Sequence, residues 1–332
     1  MLANILKSNQ PFVIVFLVIS GAMLWFFSLI EPVAIIIPSD AIKMPFYDII
    51  SSNVKYNSVL SLLVTFFLVL IQAFLLVQFN KKHILINYRT YLPAFFYILI
   101  SSSFVQLQRL NPVIIGTIFI FIALNFLFIT YRSEYTLNKI YLAGFFISLA
   151  SFFWAPLASF ILVIFISLLI LRPFVGREWI VGILGFLTPV IFVFVYYFVF
   201  LEENKLIELL NSLIANLEIV KTFHSLHFSY YIFYSFLFTI IILASYTLVR
   251  NYQKKKIKTR KYFEIYWWIF LISLGLFLVF KNVSYDIIYL MSIPISFLLT
   301  DYFYSIKKTG YLNGVLLIFI GLLVYIQIIA HN

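Results

Sequence analysis

Hydrophobic residues along this chain form long uninterrupted runs, separated by short polar segments. Most runs are about 20 residues long, the length a helix needs to cross roughly 30 Å of hydrocarbon. They show no alternation with a period of two, which argues against the strands of a barrel. We therefore predict an all-α, polytopic transmembrane helical bundle, a single domain over residues 1–332, with about eleven spans at 11–30, 58–79, 91–106, 112–131, 140–154, 157–171, 179–201, 228–249, 265–281, 286–304 and 311–329.

Composition narrows the classes of function that remain. The chain is 64% hydrophobic and 11% charged, which leaves too few charged side chains for the surface of a soluble domain. It contains no cysteine, so thiolate nucleophiles, disulfides and cysteine-ligated metal sites are excluded. Ionisable residues are almost absent from the centres of the predicted spans. A transporter coupled to protons or ions would normally carry carboxylates there.

The basic residues orient the predicted bundle. Placing the N-terminus in the cytoplasm puts most of the 23 lysines and arginines in cytoplasmic loops, as the positive-inside rule requires. The largest group is RNYQKKKIKTRK in the predicted basic loop 250–263. We interpret this loop as lying against anionic lipid headgroups rather than binding nucleic acid. Asp301 falls close to Lys307 and Lys308 on the same side, which predicts a local ion pair.

Acidic residues concentrate in two predicted external loops, 31–57 and 202–227. The first loop carries Glu31, Asp40 and Asp48, and its prolines indicate short helices held at the membrane interface. In the second loop, apolar residues recur at helical spacing, which predicts an amphipathic helix lying on the outer surface of the bilayer. These apolar positions are Leu206, Leu210, Leu213, Leu217 and Val220.

Short predicted spans occupy the middle of the chain. Segments 140–154 and 157–171 are joined at a tight Trp-Ala-Pro turn and fall short of the hydrocarbon thickness. We expect such hairpins to leave a recess on the outer side. YLPAFFYILISSSF (91–104) also matches YLAGFFISLASFFW (141–154) at a spacing of 50 residues. The hairpins are either duplicated units or chance matches between phenylalanine-rich segments.

Asp40 is the leading candidate for chemistry. A carboxylate in an external loop beside the membrane could act as a general base toward an acceptor hydroxyl or hold a divalent metal. Ser39-Asp40 ahead of Ala-Ile-Lys also fits the cap and first turn of a short helix, which needs no function. Asp48 and Glu31 are the second candidates; Asp48 also fits an acid facing water, and Glu31 closes a span.

Arg109 lies in SSSFVQLQRLNP (101–112), a polar cluster at the outer end of a short hairpin. The forked guanidinium of Arg109 suits binding of a substrate phosphate group. The alternative is that the side chain simply extends to the phosphate of a membrane lipid, as snorkelling arginines do. His224 and His227 in FHSLH stand three residues apart, but a zinc site needs three or four protein ligands. We therefore predict no metal site and no certain cofactor, with a divalent metal left open.

The order of these features resembles the GT-C architecture of glycosyltransferases that use polyprenyl-phosphate sugars. The shared features are an N-terminal span starting in the cytoplasm, a long acidic external loop, short hairpins, and a second long external loop. The resemblance implies a catalytic acid at Asp40, with Asp48 as the alternate. It also implies phosphate contacts at Arg109, Lys205, Lys221 and His224. The first loop lacks the adjacent acidic pair that is common in that superfamily.

A second resemblance rests on particular strings. MPFYDII (44–50), INYRTYLPAFFYILISSS (86–103), LAGFFISLASFFWAP (142–156) and ILRPFVGREW (170–179) resemble an uncharacterised family of multi-pass inner-membrane proteins of Bacteroidota. This resemblance implies a location in the bacterial cytoplasmic (inner) membrane. Because that family is uncharacterised, the resemblance does not indicate an activity.

Three functions therefore remain open. The first is an inner-membrane protein of envelope biogenesis that moves a sugar from a polyprenyl-phosphate carrier to an acceptor on the outer side. The second is a non-enzymatic scaffold or subunit of an envelope assembly or secretion complex. The third is a flippase for lipid or polysaccharide. Membrane lipid is a partner in each of them.

Overall fold

A computed structural model describes residues 6–7, 10–30, 44–86, 88–200, 203–216, 218, 227–281, 283–306 and 308–331. The α-helices within these ranges are α1 (Phe12–Ile30), α2 (Pro45–Asn53), α3 (Val59–His83), α4 (Leu92–Ser101), α5 (Pro112–Ile129), α6 (Leu137–Ser151), α7 (Ile161–Leu171), α8 (Gly176–Phe200), α9 (Glu203–Asn216), α10 (Phe228–Arg250), α11 (Ile257–Val279), α12 (Ile288–Ser305) and α13 (Thr309–His331). Short 3₁₀ turns cover Val105–Gln108, Ala155–Phe160, Tyr252–Lys254 and Tyr285–Ile287. Within the described ranges, every regular element is helical.

The helical class and the membrane character agree with the prediction. Within the described residues, 8 helices are long and apolar enough to cross a membrane; they are α1, α3, α5, α8, α10, α11, α12 with its leading turn, and α13. The other three predicted spans correspond to α4, α6, and α7 with its leading turn, which are shorter apolar helices of 10–17 residues. A count of eleven spans and the orientation of the bundle therefore remain predictions.

The connections between helices gather at two ends of the bundle. We call one the basic end, where Thr259 donates to the carbonyl of Ile84 at 3.4 Å and Arg172 donates to the carbonyl of Thr130 at 2.9 Å. It comprises 84–86, 88–91, 130–136, 172–175, 251–256, 306 and 308. We call the other the Arg109 end, where the amide of Phe46 donates to the carbonyl of Phe152 at 3.3 Å. It comprises 54–58, 102–111, 152–160, 280–281 and 283–287.

Glycines bring α6 and α8 into backbone contact. A β-carbon placed on Gly144 would lie 2.4 Å from the carbonyl oxygen of Gly182, and one on Gly185 would lie 2.2 Å from that of Tyr141. Small residues at such a crossing let two membrane helices approach closely, so that their backbones pack directly. The buried residues of α8 all lie at or before its internal Pro189. The helix therefore packs through its first half and leaves the bundle after the proline.

A buried glutamine joins three helices in the interior. Gln72 of α3 is 4% exposed; its Nε2 donates to the carbonyl oxygen of Ile114 in α5 at 2.5 Å. Its Oε1 accepts from the hydroxyl of Tyr97 in α4. In hydrocarbon each of these groups would otherwise lack a partner. Gln72 lies near the centre of the predicted span 58–79, and its role is structural.

We expect Gln72→Leu to lower the free energy of unfolding by about 1–2 kcal/mol, because it leaves the Tyr97 hydroxyl buried without its acceptor. Gln72→Leu combined with Tyr97→Phe should recover part of that loss, since both polar partners are then removed. Reversible unfolding in mixed micelles would measure both variants. A double variant less stable than Gln72→Leu alone would contradict this role.

Ion pairs at the basic end differ from the prediction in one case. Arg172 pairs with Glu178 at 3.2 Å and thereby joins the end of α7 to the start of α8. Asp301 was expected to pair with Lys307 or Lys308, but it pairs with Lys255 on the α10–α11 connection. The prediction considered only neighbours in sequence, whereas α11 packs against α12 and brings Lys255 to the end of α12.

Two predicted segments also have different boundaries. Helix α11 begins at Ile257, inside the predicted basic loop 250–263, so the later lysines and arginines of that loop are helical. Helix α9 confirms a helix within the predicted loop 202–227. Of the predicted apolar positions, Leu210 is exposed and Leu206 and Leu213 are half-buried. Leu209, which was not among them, is 6% exposed, whereas Ile207 and Ile214 are exposed.

The match between residues 91–104 and 141–154 extends to local structure. Helices α4 and α6 end at Ser101 and Ser151, which are 50 residues apart. The 3₁₀ turns that follow begin at Val105 and Ala155, again 50 residues apart. Both turns are largely buried. Each short hairpin therefore carries irregular backbone into the interior at the Arg109 end.

Candidate functional site

The connection from α4 to α5, residues 102–111, lies inside the bundle; we call it the Arg109 loop. Every residue of this loop is buried except Gln106. Helix α4 is only 10 residues long, so the backbone leaves helical geometry within the protein rather than at its surface. Irregular backbone at membrane depth is tolerated where protein groups satisfy its hydrogen bonds. The partners of this loop therefore define the site.

Helices α1 and α13 hold the first half of the loop. The indole Nε1 of Trp25 donates to the hydroxyl of Ser102 at 2.9 Å, and Nε2 of Gln327 donates to the carbonyl oxygen of Ser102 at 3.0 Å. The hydroxyl of Ser28 donates to Oε1 of Gln108. Ser102 and Gln108 of the predicted polar cluster thus bond within the protein.

Helices α2, α3 and α12 hold the second half. The Tyr289 hydroxyl donates to the carbonyl of Leu107. Leu110 is fixed on both sides, because its amide donates to the Ser61 hydroxyl at 2.8 Å and its carbonyl accepts from the Tyr47 hydroxyl at 2.9 Å. Asn111 then caps α5 by accepting from the amide of Ile114 at 3.0 Å. Helices α1, α2, α3, α12 and α13 therefore all form hydrogen bonds with the Arg109 loop.

Arg109 is 0% exposed, so its side chain does not reach the surface of the structure, as the snorkelling alternative would require. Its loop folds inward among the helices. Burial lowers the pKa of Arg109, and the nearby Tyr56 opposes that shift. An arginine pKa is high enough that the guanidinium stays charged nonetheless. The protein therefore holds a fixed positive charge beneath its Arg109 end.

Tyr56 is electrostatically coupled to this charge, and Tyr47 and Asp286 are coupled to Tyr56. Burial raises the pKa of Tyr56, the charges of Asp286 and Tyr47 raise it further, and Arg109 lowers it. Burial also raises the pKa of Tyr47, with smaller contributions from Asp286 and Asp48. Both hydroxyls therefore stay protonated near neutral pH and act as hydrogen-bond donors. Arg109, Tyr56, Tyr47 and Asp286 form an electrostatically connected cluster.

A recess of about 440 Å³ lies between α2 and α8 at the same end. Its walls include Phe46 and Ile49 of α2 and Phe192, Tyr196 and Tyr197 of α8, with Asp48 among them. Asp48 is the charged residue among the described residues that line it. The recess thus presents one carboxylate between apolar and aromatic walls.

Pro189 lies inside α8, three residues before Phe192 on the wall of this recess. Beyond it the large side chains of α8 are exposed, including Phe192 at 70% and Phe200 at 72%. We expected short middle hairpins to create a recess. The structure instead places it beside α8, because those hairpins fill their own interior with buried 3₁₀ turns. A proline inside a long apolar run was the available signal.

Aromatic contacts position α2 and therefore Asp48. Phe46 packs against Phe152 with ring centroids 5.3 Å apart and against Phe153 at 5.6 Å. Tyr47 reaches the Arg109 loop through the carbonyl of Leu110. Asp48 follows directly and lies in the first turn of α2. Tyr47 thus lies between the recess and the loop that carries Arg109.

The structure describes one of the other predicted site residues, Lys205. Lys205 is exposed on α9 and makes no hydrogen bond or ion pair with Asp48 or Arg109 in the structure. Asp40, Lys221 and His224 lie outside the described residues, as does Glu31. His227 acts as the N-cap of α10, where its Nδ1 accepts from the amide of Ser229 at 3.4 Å. Among the residues described, no three His, Asp or Glu side chains form a metal site.

Sequence reasoning missed Tyr47, Tyr56 and Asp286. Tyrosine is frequent in this chain, with 23 in total, so neither tyrosine stood out from the aromatic belts expected at a membrane interface. Asp286 lies at the start of the predicted span 286–304, where nothing along the chain relates it to Tyr47 or Tyr56. Only the fold of the Arg109 loop brings these residues together.

Replacing Tyr47 with phenylalanine should loosen α2 without unfolding the bundle. The variant removes one buried hydrogen bond, worth about 1 kcal/mol. Hydrogen exchange measured by mass spectrometry should rise in peptides covering 44–53 and stay unchanged in peptides covering 112–129. Equal acceleration in both regions, or none in 44–53, would show that Tyr47 does not anchor α2.

Comparison with known proteins places the whole chain in one family. No curated protein and no solved structure matches the chain. The resemblance to GT-C enzymes therefore still rests on architecture alone, and the resemblance to proteins of Bacteroidota still rests on the sequence strings alone. A family of unknown function, DUF6427, matches residues 1–331. The chain belongs to the DUF6427 family.

Proposed function

We propose that this membrane protein is a transferase of envelope biogenesis that takes a sugar from a polyprenyl-phosphate carrier at its Arg109 end. The observation that carries the proposal is the recess between α2 and α8, with Asp48 between aromatic walls. Ligand sites are typically concave and mostly apolar, with a few polar groups that fix orientation. The volume of about 440 Å³ lies within the usual range of such sites.

The exposed second half of α8 supports a lipid substrate. A polyprenyl chain is wholly apolar and lies in the bilayer, so it must enter a site from the side. Phe192 and Tyr196 line the recess and are also 70% and 53% exposed. In this proposal Phe192 and Tyr196 contact the polyprenyl chain where it passes from the lipid into the recess, and the sugar lies beside Asp48.

The reaction assigns a role to the positive charge of Arg109. The acceptor hydroxyl oxygen forms a bond to the anomeric carbon, and the bond from that carbon to the phosphate oxygen breaks. The carrier leaves as polyprenyl phosphate, which carries one more negative charge than the donor phosphodiester. A preorganised cation stabilises charge that develops in this way. Arg109 is fully buried, so in this proposal it acts through its charge from beneath the site; Lys205, Lys221 and His224 are the further phosphate contacts proposed.

A carboxylate accepts the proton that the acceptor hydroxyl loses. Asp48 lies in the recess, and Asp40 precedes Met44 by four residues, a reach of at most about 14 Å for extended chain. Tyr47 of α2 and Ser28 of α1 both bond to the Arg109 loop, so both flanks of the segment that carries Asp40 are held near Arg109. Asp40 remains our first choice of base and Asp48 the alternate. A divalent metal is not required by this step.

Glycan analysis tests the proposal in cells. We expect a strain lacking the protein to lose one envelope glycan modification and to regain it with the wild-type chain. Asp40→Asn should fail to restore the modification. Glu218→Gln should restore it, because within the described residues the Glu218 side chain is exposed and pairs with the exposed Lys281. Mass spectrometry of the envelope glycans and of the lipid carrier would compare the deletion strain with the strains carrying each variant. Unchanged glycans in the deletion strain would contradict the transferase proposal.

A scaffold without enzymatic activity is the second candidate. The observation in its favour is that Arg109 is fully buried in a loop to which six helices bond, an arrangement that needs no substrate. This candidate predicts stable co-purification with a partner and full function of both Asp40→Asn and Asp48→Asn. A flippase, in contrast, would move the carrier without consuming its sugar, so its loss would leave the glycosylated carrier accumulating on the cytoplasmic side.

A further inference from the structure

Three cations converge on a pair of tyrosines at the basic end, far from the recess. Tyr131 follows α5 and Tyr262 lies in the second turn of α11; their rings meet edge to face with centroids 6.2 Å apart. Arg132 has a left-handed backbone, with φ of 55°. This conformation turns the chain sharply after Tyr131 and places Arg132 beside the ring.

Each of the three cations lies over one of the two rings. The Cζ atom of Arg132 lies 5.5 Å from the centroid of Tyr131, and Nζ of Lys261 lies 5.7 Å from the same centroid. Nζ of Lys258 lies 5.6 Å from the centroid of Tyr262. We call Arg132, Lys258 and Lys261 the cation triad. Two separate elements, the 130–136 connection and α11, supply it.

Nearby acidic side chains are engaged elsewhere. At the basic end, Glu178 pairs with Arg172 and Asp301 pairs with Lys255, while Glu264 accepts from the Tyr252 hydroxyl. No ion pair joins Glu134 to the triad in the described parts of the chain. Cations gathered in this way repel one another, and the repulsion falls when an anion binds between them.

We propose that the cation triad binds the phosphate of an anionic phospholipid headgroup. Arginine offers a planar fork that matches phosphate oxygens, and lysine adds point charges. The position favours lipid over a soluble anion. Trp268 lies seven residues after Lys261, two turns along α11 and on the same face, and it is 46% exposed. An acyl chain lying along that face would place its headgroup at the triad.

The site differs in kind from general attraction of a basic surface to anionic lipid. General attraction depends on the number of charges near the membrane, at roughly the same strength for each lysine or arginine. A bound headgroup depends on the three cations that meet at the tyrosine pair. Variants of equal charge therefore separate the two explanations.

Native mass spectrometry of the purified full chain in detergent tests the proposal, with phosphatidylglycerol as the probe and phosphatidylcholine as the neutral lipid. The triad variant is Arg132→Gln with Lys258→Gln and Lys261→Gln. The matched control is Lys254→Gln with Lys256→Gln and Lys308→Gln, three exposed lysines of the same end. We expect the triad variant to weaken phosphatidylglycerol binding by more than about tenfold and the control by less than about threefold.

Equal weakening in both variants would overturn the proposal, since it would show general attraction. Displacement of the lipid by millimolar inorganic phosphate would also overturn it, because the site would then bind a small anion. Arg132→Gln alone serves if the triple variant does not fold, since Arg132 is exposed on a connection. It should weaken binding by about threefold or more, and unchanged binding would count against the site.

Discussion

Replacing Gly185 with leucine should prevent the folded chain from accumulating in the membrane. A β-carbon at this position would lie 2.2 Å from the carbonyl oxygen of Tyr141, a distance that only backbone movement can relieve. Overpacking of a well-packed interface costs about 3 kcal/mol or more when the neighbour cannot move. The contact between α6 and the first half of α8 would separate, and the recess beside α8 would lose its support.

The same substitution in α13 provides the control. Gly321→Leu adds its side chain where nothing lies within 4 Å, so we expect normal accumulation and a melting temperature close to that of the wild type. Size-exclusion chromatography and thermal melting in detergent would compare the two variants. Equal behaviour of Gly185→Leu and Gly321→Leu would mean that the α6–α8 crossing is not a tight contact.

Asp48→Asn should reduce the proposed sugar transfer by about a hundredfold or more if Asp48 is the base, because a carboxylate that accepts a proton in the transition state contributes that much. Asparagine keeps the shape of the side chain but cannot take the proton. The helix and its anchors at Phe46 and Tyr47 stay in place. Transfer from a polyprenyl-phosphate sugar by purified protein in nanodiscs would give the rate.

Asp40→Asn, measured beside it, identifies the base. A large loss with Asp40→Asn and a small loss with Asp48→Asn would assign the base to Asp40 and leave Asp48 to orient the sugar. Glu218→Gln is the control with the same change of charge at the same end and should keep the wild-type rate. Full activity in all three variants would contradict acid–base catalysis by the external carboxylates.

The helices could be predicted from the sequence because they depend on local properties. A run of apolar residues forms a helix in hydrocarbon whatever its neighbours are, since no other structure satisfies its backbone. The predicted segments 11–30, 112–131 and 228–249 correspond closely to α1, α5 and α10. The short helix α2 followed from its proline in the same way.

The site could not be predicted to the same degree because it depends on which helices pack together. The polar cluster 101–112 was visible, but its partners Trp25, Tyr289 and Gln327 are distant in sequence. The pairing of Asp301 with Lys255 was missed for the same reason. Arg109 was identified as unusual, yet its burial follows from seven hydrogen bonds that no spacing along the chain reveals.

Photocrosslinking tests most directly the central claim that a polyprenyl-phosphate carrier binds in the recess between α2 and α8. A photoreactive phenylalanine analogue would replace Tyr196, which lines the recess, or Tyr325 of α13, which has a similar exposure of 50% compared with 53%. In nanodiscs containing polyprenyl phosphate, we predict crosslinking at position 196 that is several times that at 325 and that excess unlabelled carrier suppresses. Equal, unsuppressed crosslinking at both positions would contradict the claim, since it would show contact with bulk lipid alone.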